Sequence, residues 1–413
     1  MATTTDAIAK VRQEFPFLRR KVHGGLPLTY FDNAAMTPVP SIVQQRLASY
    51  YQSDTANIHR GLYYVSVEAT RQYEDARKRV QKFINAKHCD EIIFMPGTTI
   101  ALNLLAQAIS AQFAATSNND SEKTEIILTT MEHHSNIVPW QLQTNLCIKY
   151  LPMLANGELD LDALPQLISS KTKLISLVHA SNSIGTINPL PEILQLCKAH
   201  GLITIVDAAQ SVGHMPVDVQ TLDCDYLVFS SHKIYAPTGV GVLYGKQDML
   251  KQLPVVSGGG GSIKQVDLDK TSFLPPPAKF EAGTPNISGV LGLDSALEFL
   301  MNNDLPQLWQ HEQDLLSYAT AALQEIDGVR IIGTARQKVS ILSFVIAGIH
   351  PHDIGTLLDF EGIAVRASHH CTHPTMKHFK VPATVRAAFS FFNTTAEVDL
   401  LVKAVSKAIH TFR

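Results

Sequence analysis

Up to about residue 290, short apolar runs alternate with polar loops and longer amphipathic stretches. EIIFM (91–95) leads through PGTT to IALNLLAQAI. EIILTT (125–130) leads through MEHHSN to IVPWQLQ. KLISLV (173–178) leads through HASNSIGTINPL to PEILQLCKAHG. LITIV (202–206) precedes DAAQSVGHMPVDV, and YLVF (226–229) precedes SSHKIYAPT and GVGVLYG. Apolar runs of this length, bounded by turn signals, read as fully buried strands. Their alternation with helical stretches predicts an α/β fold with a mostly parallel sheet flanked by helices. Ligands in such sheets bind beyond the C-terminal ends of the strands, so the polar loops are the place to search for chemistry.

Beyond residue 290 the texture changes. GVLGLDSALEFLMNN and LWQHEQDLLSYATAALQEI read as helices, VRIIGT and KVSILSFVI as strands. HDIGTLLDFEG and AEVDLLVKAVSKAIHTF read as two further helices. This predicts a smaller α+β domain. The stretch 253–286, rich in Gly and Pro, reads as a surface loop ahead of it.

Length and composition narrow the classes. The chain of 413 residues suits two domains, and 45% apolar with 17% charged residues is the make-up of a folded globule. Thirty-seven acids against 34 bases give a net charge of -3, which argues against a nucleic-acid partner. The start MATTTDAIAKVRQEF lacks the apolar core of a signal peptide, and no apolar run is long enough for a membrane span. Five cysteines without regular spacing read as reduced thiols in a cytoplasmic protein rather than a disulfide framework.

Five places can carry chemistry. Lys233 follows the strand YLVF and can form a Schiff base if desolvated; otherwise it is a solvated loop lysine. The same SSHK run matches S-x-x-K, but the S-D-N and K-T-G companions of that acyl-enzyme motif are missing. Ser230, Ser231 and His232 beside it suit a phosphate. Asp207, at the end of LITIV, can pair with a protonated pyridine nitrogen or cap a helix. Thr98 and Thr99 open a helix, where free N–H groups bind phosphate. No Walker A or G-x-G-x-x-G pattern is present, which disfavours a nucleoside triphosphate or a dinucleotide. His133 and His134 can stack on a ring, move protons, ligate a metal or serve as loop histidines. In VRASHHCTHPTM, Arg366 and three histidines surround Cys371. Nearby cations favour a reactive thiolate; a metal site, with His350 and His352 added, and an inert thiol are the alternatives.

The order and spacing of these pieces resemble one family. YFDNAA (30–35), NIHRG (57–61), GTT (97–99), MEHHSNIVPWQ (131–141), SNSIGT (181–186), VDAAQS (206–211), SSHK (230–233), FEAGTPN (280–286), VRASHHC (365–371) and Arg386 are similar to the SufS/CsdA-type cysteine desulfurases, also described as selenocysteine lyases. These are fold-type I enzymes of the class V aminotransferase group. The resemblance implies pyridoxal 5'-phosphate (PLP) as cofactor and no metal. It implies a PLP-binding large domain over 28–290, and a small domain from 1–27 with 291–413 that carries the cysteine loop.

Carried over by position, the resemblance implies that Lys233 holds PLP and Asp207 pairs with its pyridine nitrogen. His133 stacks on the ring and Gln210 meets the phenolic oxygen. Thr98, Thr99, Ser230 and His232 hold the phosphate, and Thr284 reaches the phosphate of a neighbouring subunit in a homodimer. Asn182 and Arg386 orient L-cysteine, with Arg366 beside Cys371, and His59 and Arg60 lie near the site. Cys371 takes the substrate sulfur as a persulfide and passes it to an acceptor protein in iron–sulfur cluster assembly, leaving L-alanine. Selenocysteine cleavage and another class V reaction, that of an aminotransferase or a kynureninase-like hydrolase, are the alternatives. Ser368 and Ser231 stand where the family often has Gly, which bears on the mobility of the Cys371 loop. The segment GIHPHDIGTLLDFEG resembles that of desulfurases served by a zinc-bearing SufU-type acceptor, with His352 as the zinc-exchanging residue; a SufE-type acceptor is the other branch.

Overall fold

The computed structural model describes residues 4–116 and 123–412. Its centre is a seven-stranded sheet. In spatial order the strands are Ile92–Met95, Gly241–Gly245, Tyr226–Ser230, Ile203–Asp207, Thr172–Val178, Thr124–Thr129 and Leu146–Leu151. All run parallel except Gly241–Gly245, which is antiparallel to both its neighbours.

Every residue of Ile92–Met95, Tyr226–Ser230 and Gly241–Gly245 is buried. This is the signature of a sheet covered on both faces, and it explains why these runs are apolar throughout rather than alternating. Successive side chains still point to opposite faces. Leu227 and Phe229 join one core cluster, with the helices Tyr64–Phe83, Leu190–Ala199 and Ile287–Met301. Tyr226 and Val228 join the other, with the helix Thr98–Thr116.

A second sheet has four antiparallel strands in the order Val329–Ile332, Ile341–Ile346, Thr384–Ala388 and Arg366–Ser368. Its core packs Phe344, Val385 and Phe389 against the helices Leu305–Gln324, Pro351–Phe360 and Thr395–Phe412. Thr29–Tyr30 pairs in parallel with Ile363–Ala364, and an isolated bridge joins Asp32 to Ala388. The chain just after residue 28 is thereby stitched to this second sheet.

Within 253–286, read above as loop, the structure holds a small hairpin of Ile263–Val266 and Thr271–Phe273. The β-branched and aromatic residues at its ends suit paired strands, and the Asp267 N–H closes the turn on the Lys270 carbonyl at 2.9 Å. Among the described residues no helix is long and apolar enough to cross a membrane.

Candidate active site

The loops leaving the C-terminal ends of the parallel strands converge on a cavity of about 450 Å³, which strands of the second sheet close from the other side. Thr98, Thr99, His133, Asn182, Asp207, Gln210, Ser230, His232 and Lys233 line it from the large sheet. Arg366, Cys371 and Arg386 line it from the small one. Twelve of the fifteen site residues expected from the sequence therefore line this one cavity. Thr284, His59 and Arg60 line a different hollow of about 270 Å³, together with Glu281.

Lys233 and Asp207 form the floor. Burial drives the Lys233 ammonium towards the neutral amine, and the Asp207 carboxylate opposes it. Burial likewise raises the Asp207 pKa, which Lys233 and the Ala209 N–H hold back. No helix follows Asp207; its Oδ1 accepts the Ala209 N–H at 2.9 Å within a run of turns. Gly213 lets this turn lie against the lysine: a Cβ there would sit 2.9 Å from the Lys233 carbonyl oxygen.

His133 is held neutral, its pKa pushed down to about 3 by burial and then by Lys233. Its Nδ1 accepts the Ser135 N–H at 3.1 Å, so Nε2 carries the proton. Behind it, the fully buried Glu132 accepts hydrogen bonds from Thr129 Oγ1, Asn136 Nδ2 and the Val178 N–H. Burial pushes Glu132 up to about 8. The three converging donors oppose that shift and favour the ionised form.

At the start of the helix Thr98–Thr116, Thr98 Oγ1 meets Ser230 Oγ at 2.8 Å and Thr99 Oγ1 meets Ser135 Oγ at 2.7 Å. Ser135 lines the cavity too and was not singled out from the sequence. The other serine of SSHK takes no part. Ser231 Oγ is buried and donates to the Val240 carbonyl at 2.8 Å, and to that of Pro237. Gln210 Nε2 is engaged by the Ala34 carbonyl at 2.7 Å.

The Cys371 loop is built differently. His370 and Cys371 both adopt left-handed backbone, with φ of +52° and +57°. Two such residues in a row are costly without glycine and need outside support. Asn182 Nδ2 donates to the His370 carbonyl at 2.7 Å, and the His134 N–H donates to the Cys371 carbonyl at 2.8 Å. His370 is buried, and its ring bridges Ser368 and Thr384. Ser368 is thus tied into the loop through the His370 N–H at 2.9 Å. Cys371 is exposed, and in the residues flanking it the imidazoles of His369 and His373 stack at 3.9 Å, and those of His373 and His134 at 4.8 Å.

Asp32 is the second residue the sequence left without a role. Its carboxylate binds both Arg366, at 2.7 Å, and Arg386, at 3.1 Å. The signal was its place in the YFDNAA segment.

A model of the aminotransferase class-V family matches residues 29–401. The chain belongs to that family. It is 44% identical to a cysteine desulfurase of Synechococcus elongatus, over 97% of this chain and 63% of that protein. A cysteine desulfurase of Serratia proteamaculans is 43% identical over 97% of this chain and 98% of its own. The crystal structure of the cysteine desulfurase CsdA (S-sulfonic acid) from Escherichia coli superposes with a TM-score of 0.89, at 36% identity over 98% of each chain. This chain spans about three fifths of the length of the Synechococcus relative.

Class-V members are PLP-dependent, and the residues of this cavity fit that cofactor. A half-buried lysine and a buried carboxylate face one another, and hydroxyls cluster at a helix start. Asn182 Oδ1 and Arg386 Nε are buried on the wall with no hydrogen-bond partner among the described residues. Such orphans are what a polar ligand satisfies.

Proposed function

We propose that this protein is a cysteine desulfurase that moves the sulfur of L-cysteine onto Cys371 and releases L-alanine. The observation that carries this reading is the meeting of Cys371 with the Lys233–Asp207 pair in one cavity. A class-V enzyme acting on the amino group alone, an aminotransferase for instance, has no use for a thiol there. The names of the relatives agree with the reading.

Bound PLP supplies an electron sink for the negative charge that develops at the substrate Cα. Lys233 anchors it and Asp207 faces its pyridine nitrogen. His133 covers the ring as a neutral imidazole, Gln210 serves its phenolic oxygen, and Thr98, Thr99, Ser230 and His232 serve its phosphate. Arg386 receives the substrate carboxylate, with Asn182 beside it. Lys233, neutral when its proton is shed, removes the Cα proton and returns one. Cys371 Sγ, as thiolate, attacks the substrate sulfur. The S–S bond forms as the Cβ–S bond breaks, and the carbon fragment takes up a proton. L-Cysteine and the Cys371 thiol become L-alanine and the Cys371 persulfide, with no outside oxidant or reductant.

The persulfide then passes to an acceptor protein, in the cytoplasm, for iron–sulfur cluster assembly. The helix Pro351–Phe360 packs beside the strand leading to Cys371. His350 caps that helix, accepting the His352 N–H at 3.2 Å, and the side chain of His352 is left exposed on its first turn. This supports His352 as the contact for a zinc-bearing SufU-type acceptor. The proposed division keeps a large domain over 28–290 and a small domain of 1–27 with 291–413; the pairing of Thr29–Tyr30 with Ile363–Ala364 and the packing of Ile287–Met301 in the large core cross it. Thr284, His59 and Arg60 act across a homodimer interface. Leu62 and Tyr64, soon after Arg60, are 97% and 80% exposed, which supports a covered surface there.

An alanine-release assay with L-cysteine tests the reading. Turnover should be low alone and rise with zinc-loaded SufU-type partner, and His352→Ala should lose that rise only. Stimulation by a SufE-type partner, indifferent to His352→Ala, assigns the other branch. Release of selenide from L-selenocysteine at a higher rate than sulfide from L-cysteine would favour the selenocysteine lyase alternative.

A further inference from the structure

The turn 133–136 reaches three different parts of the cavity. At its head the ring of His133 lines the cavity, with Nδ1 accepting the Ser135 N–H at 3.1 Å. Ser135 Oγ meets Thr99 Oγ1 at 2.7 Å, at the start of the helix Thr98–Thr116. The His134 N–H holds the Cys371 carbonyl at 2.8 Å. The Asn136 N–H closes the turn on the His133 carbonyl, also at 2.8 Å. So short a turn is weakly held by its own bonds, and its shape needs support from outside.

That support lies buried behind it. Glu132, Asn136, Trp140 and Ser176 are all without solvent exposure. The Trp140 indole N–H can only donate. It donates to Asn136 Oδ1 at 3.1 Å, where the Ser176 hydroxyl also arrives at 2.6 Å. The Asn136 amide must therefore turn its Nδ2 towards Glu132, where it donates to Oε2 at 2.6 Å. The other carboxylate oxygen faces the Val178 N–H at 3.0 Å, a second obligate donor, and the Thr129 hydroxyl at 2.6 Å. Both oxygens of Glu132 thus have to accept, which an amide in the same place cannot do. Thr129 ends one parallel strand and Val178 ends its neighbour, so the carboxylate ties the turn to two strand ends at once.

We propose that Glu132 is a positioning residue for both walls of the cavity: by clamping Asn136 to the strand ends, it sets the His133 ring, the Ser135–Thr99 hydroxyl pair and the His134 N–H together. Glu132 does not line the cavity and acts only through the turn. One buried carboxylate thereby shapes both the ring that covers the cofactor and the peptide group that holds the left-handed Cys371 backbone. The inference rests on reading the cavity as the site of a PLP-dependent desulfurase.

The test follows two signals in the holoenzyme. One is the visible circular dichroism of bound PLP, which senses the ring packed on it; the other is the rate at which iodoacetamide alkylates Cys371. Glu132→Gln keeps the size but sets an N–H₂ group against an obligate donor, either Asn136 or Val178. The dichroism should fall at least about two-fold and alkylation should accelerate about ten-fold, as expected of a buried donor left unpaired. Adding Asn136→Asp restores every donor–acceptor pair, because the amide at 132 then donates to a carboxylate at 136 that still accepts from Trp140 and Ser176. Both signals should return to within about two-fold of wild type. Ser176→Ala loosens the same core without reversing a polarity, and should leave both signals near wild type. A folded Glu132→Gln with both signals unchanged overturns the inference and leaves the desulfurase reading standing. So does a double variant as impaired as the single one, or a Ser176→Ala that matches Glu132→Gln. Wild type without a visible PLP band removes that reading, and the inference with it. Should Glu132→Gln not fold, Glu132→Asp decides. It keeps the charge but is one methylene too short to reach both Val178 and Asn136, so both signals must move, and unchanged signals overturn the proposal.

Discussion

The two walls of the cavity are made in opposite ways. The floor is an extension of the sheet: Lys233 and Asp207 lie at or just past the buried ends of two parallel strands. The β ladder fixes Asp207, the turn after its strand fixes Lys233, and burial is the largest influence on their protons, ahead of their mutual attraction. The Cys371 wall has left-handed backbone, an exposed thiol and a stack of imidazoles. Its geometry is held by bonds from the other side of the cavity, through Asn182 and His134. The lesson is a division of labour, with a rigid floor around the lysine–carboxylate pair and a latched, accessible loop around the thiol.

The largest effect should come from the floor. Lys233→Ala removes the cofactor's anchor and the base together, and alanine release should fall by roughly 10⁴-fold or more. Borohydride reduction and peptide mapping of wild type should find the pyridoxyl group on Lys233. Label on another lysine would break the comparison at its base.

Next comes the opposite wall. Cys371→Ser should lose at least about 10²-fold in alanine release, since the hydroxyl is a poor sulfur acceptor. It should keep the yellow colour of bound PLP and the wild-type affinity for L-cysteine. Loss of colour would mean that the two walls are not separable.

The latch is a smaller matter. His373→Ala removes a ring that stacks on His369 and meets His134 at 3.0 Å. Being exposed, it should cost the fold little. Alkylation of Cys371 by iodoacetamide should accelerate several-fold, while alanine release falls by less than ten-fold. An unchanged alkylation rate would remove the histidine stack from the account.

Smallest is a pH effect on stability. Burial holds His179 down at about 4, and it lies one residue past a parallel strand, outside the cavity lining. Between that value and the ordinary 6.5, the unfolded chain binds a proton that the folded one refuses. Stability must therefore fall as pH drops through this window, by at most about 1.4 kcal/mol per unit for this group. His179→Gln should flatten the slope of denaturant stability between pH 7 and pH 5, and an identical slope would show that this histidine is not the sensor.

What the sequence revealed follows the same division. The floor was legible because each residue sits a fixed step beyond an apolar run, and local pattern predicts strand ends. Asp32 was not, because its partners are 334 and 354 residues away. Nor was the support of the Cys371 loop, since Asn182 reaches it across 188 residues. Ser231 was also a phosphate candidate from its neighbours, yet it opens the turn that follows the strand, where the carbonyls of Pro237 and Val240 take its hydroxyl. The hairpin at 263–273 was hidden by the Gly- and Pro-rich residues around it.

The central claim is that sulfur leaves L-cysteine for Cys371 and no other thiol. Cys197 and Cys224 are buried, while Cys89 and Cys147 are exposed but line no wall of this cavity. The most direct measurement is one turnover of the holoenzyme with sulfur-labelled L-cysteine, followed by non-reducing peptide mass spectrometry. The account predicts one labelled sulfur on the Cys371 peptide and one L-alanine per site. Label on another cysteine, or alanine formed while Cys371 stays unmodified, would contradict it.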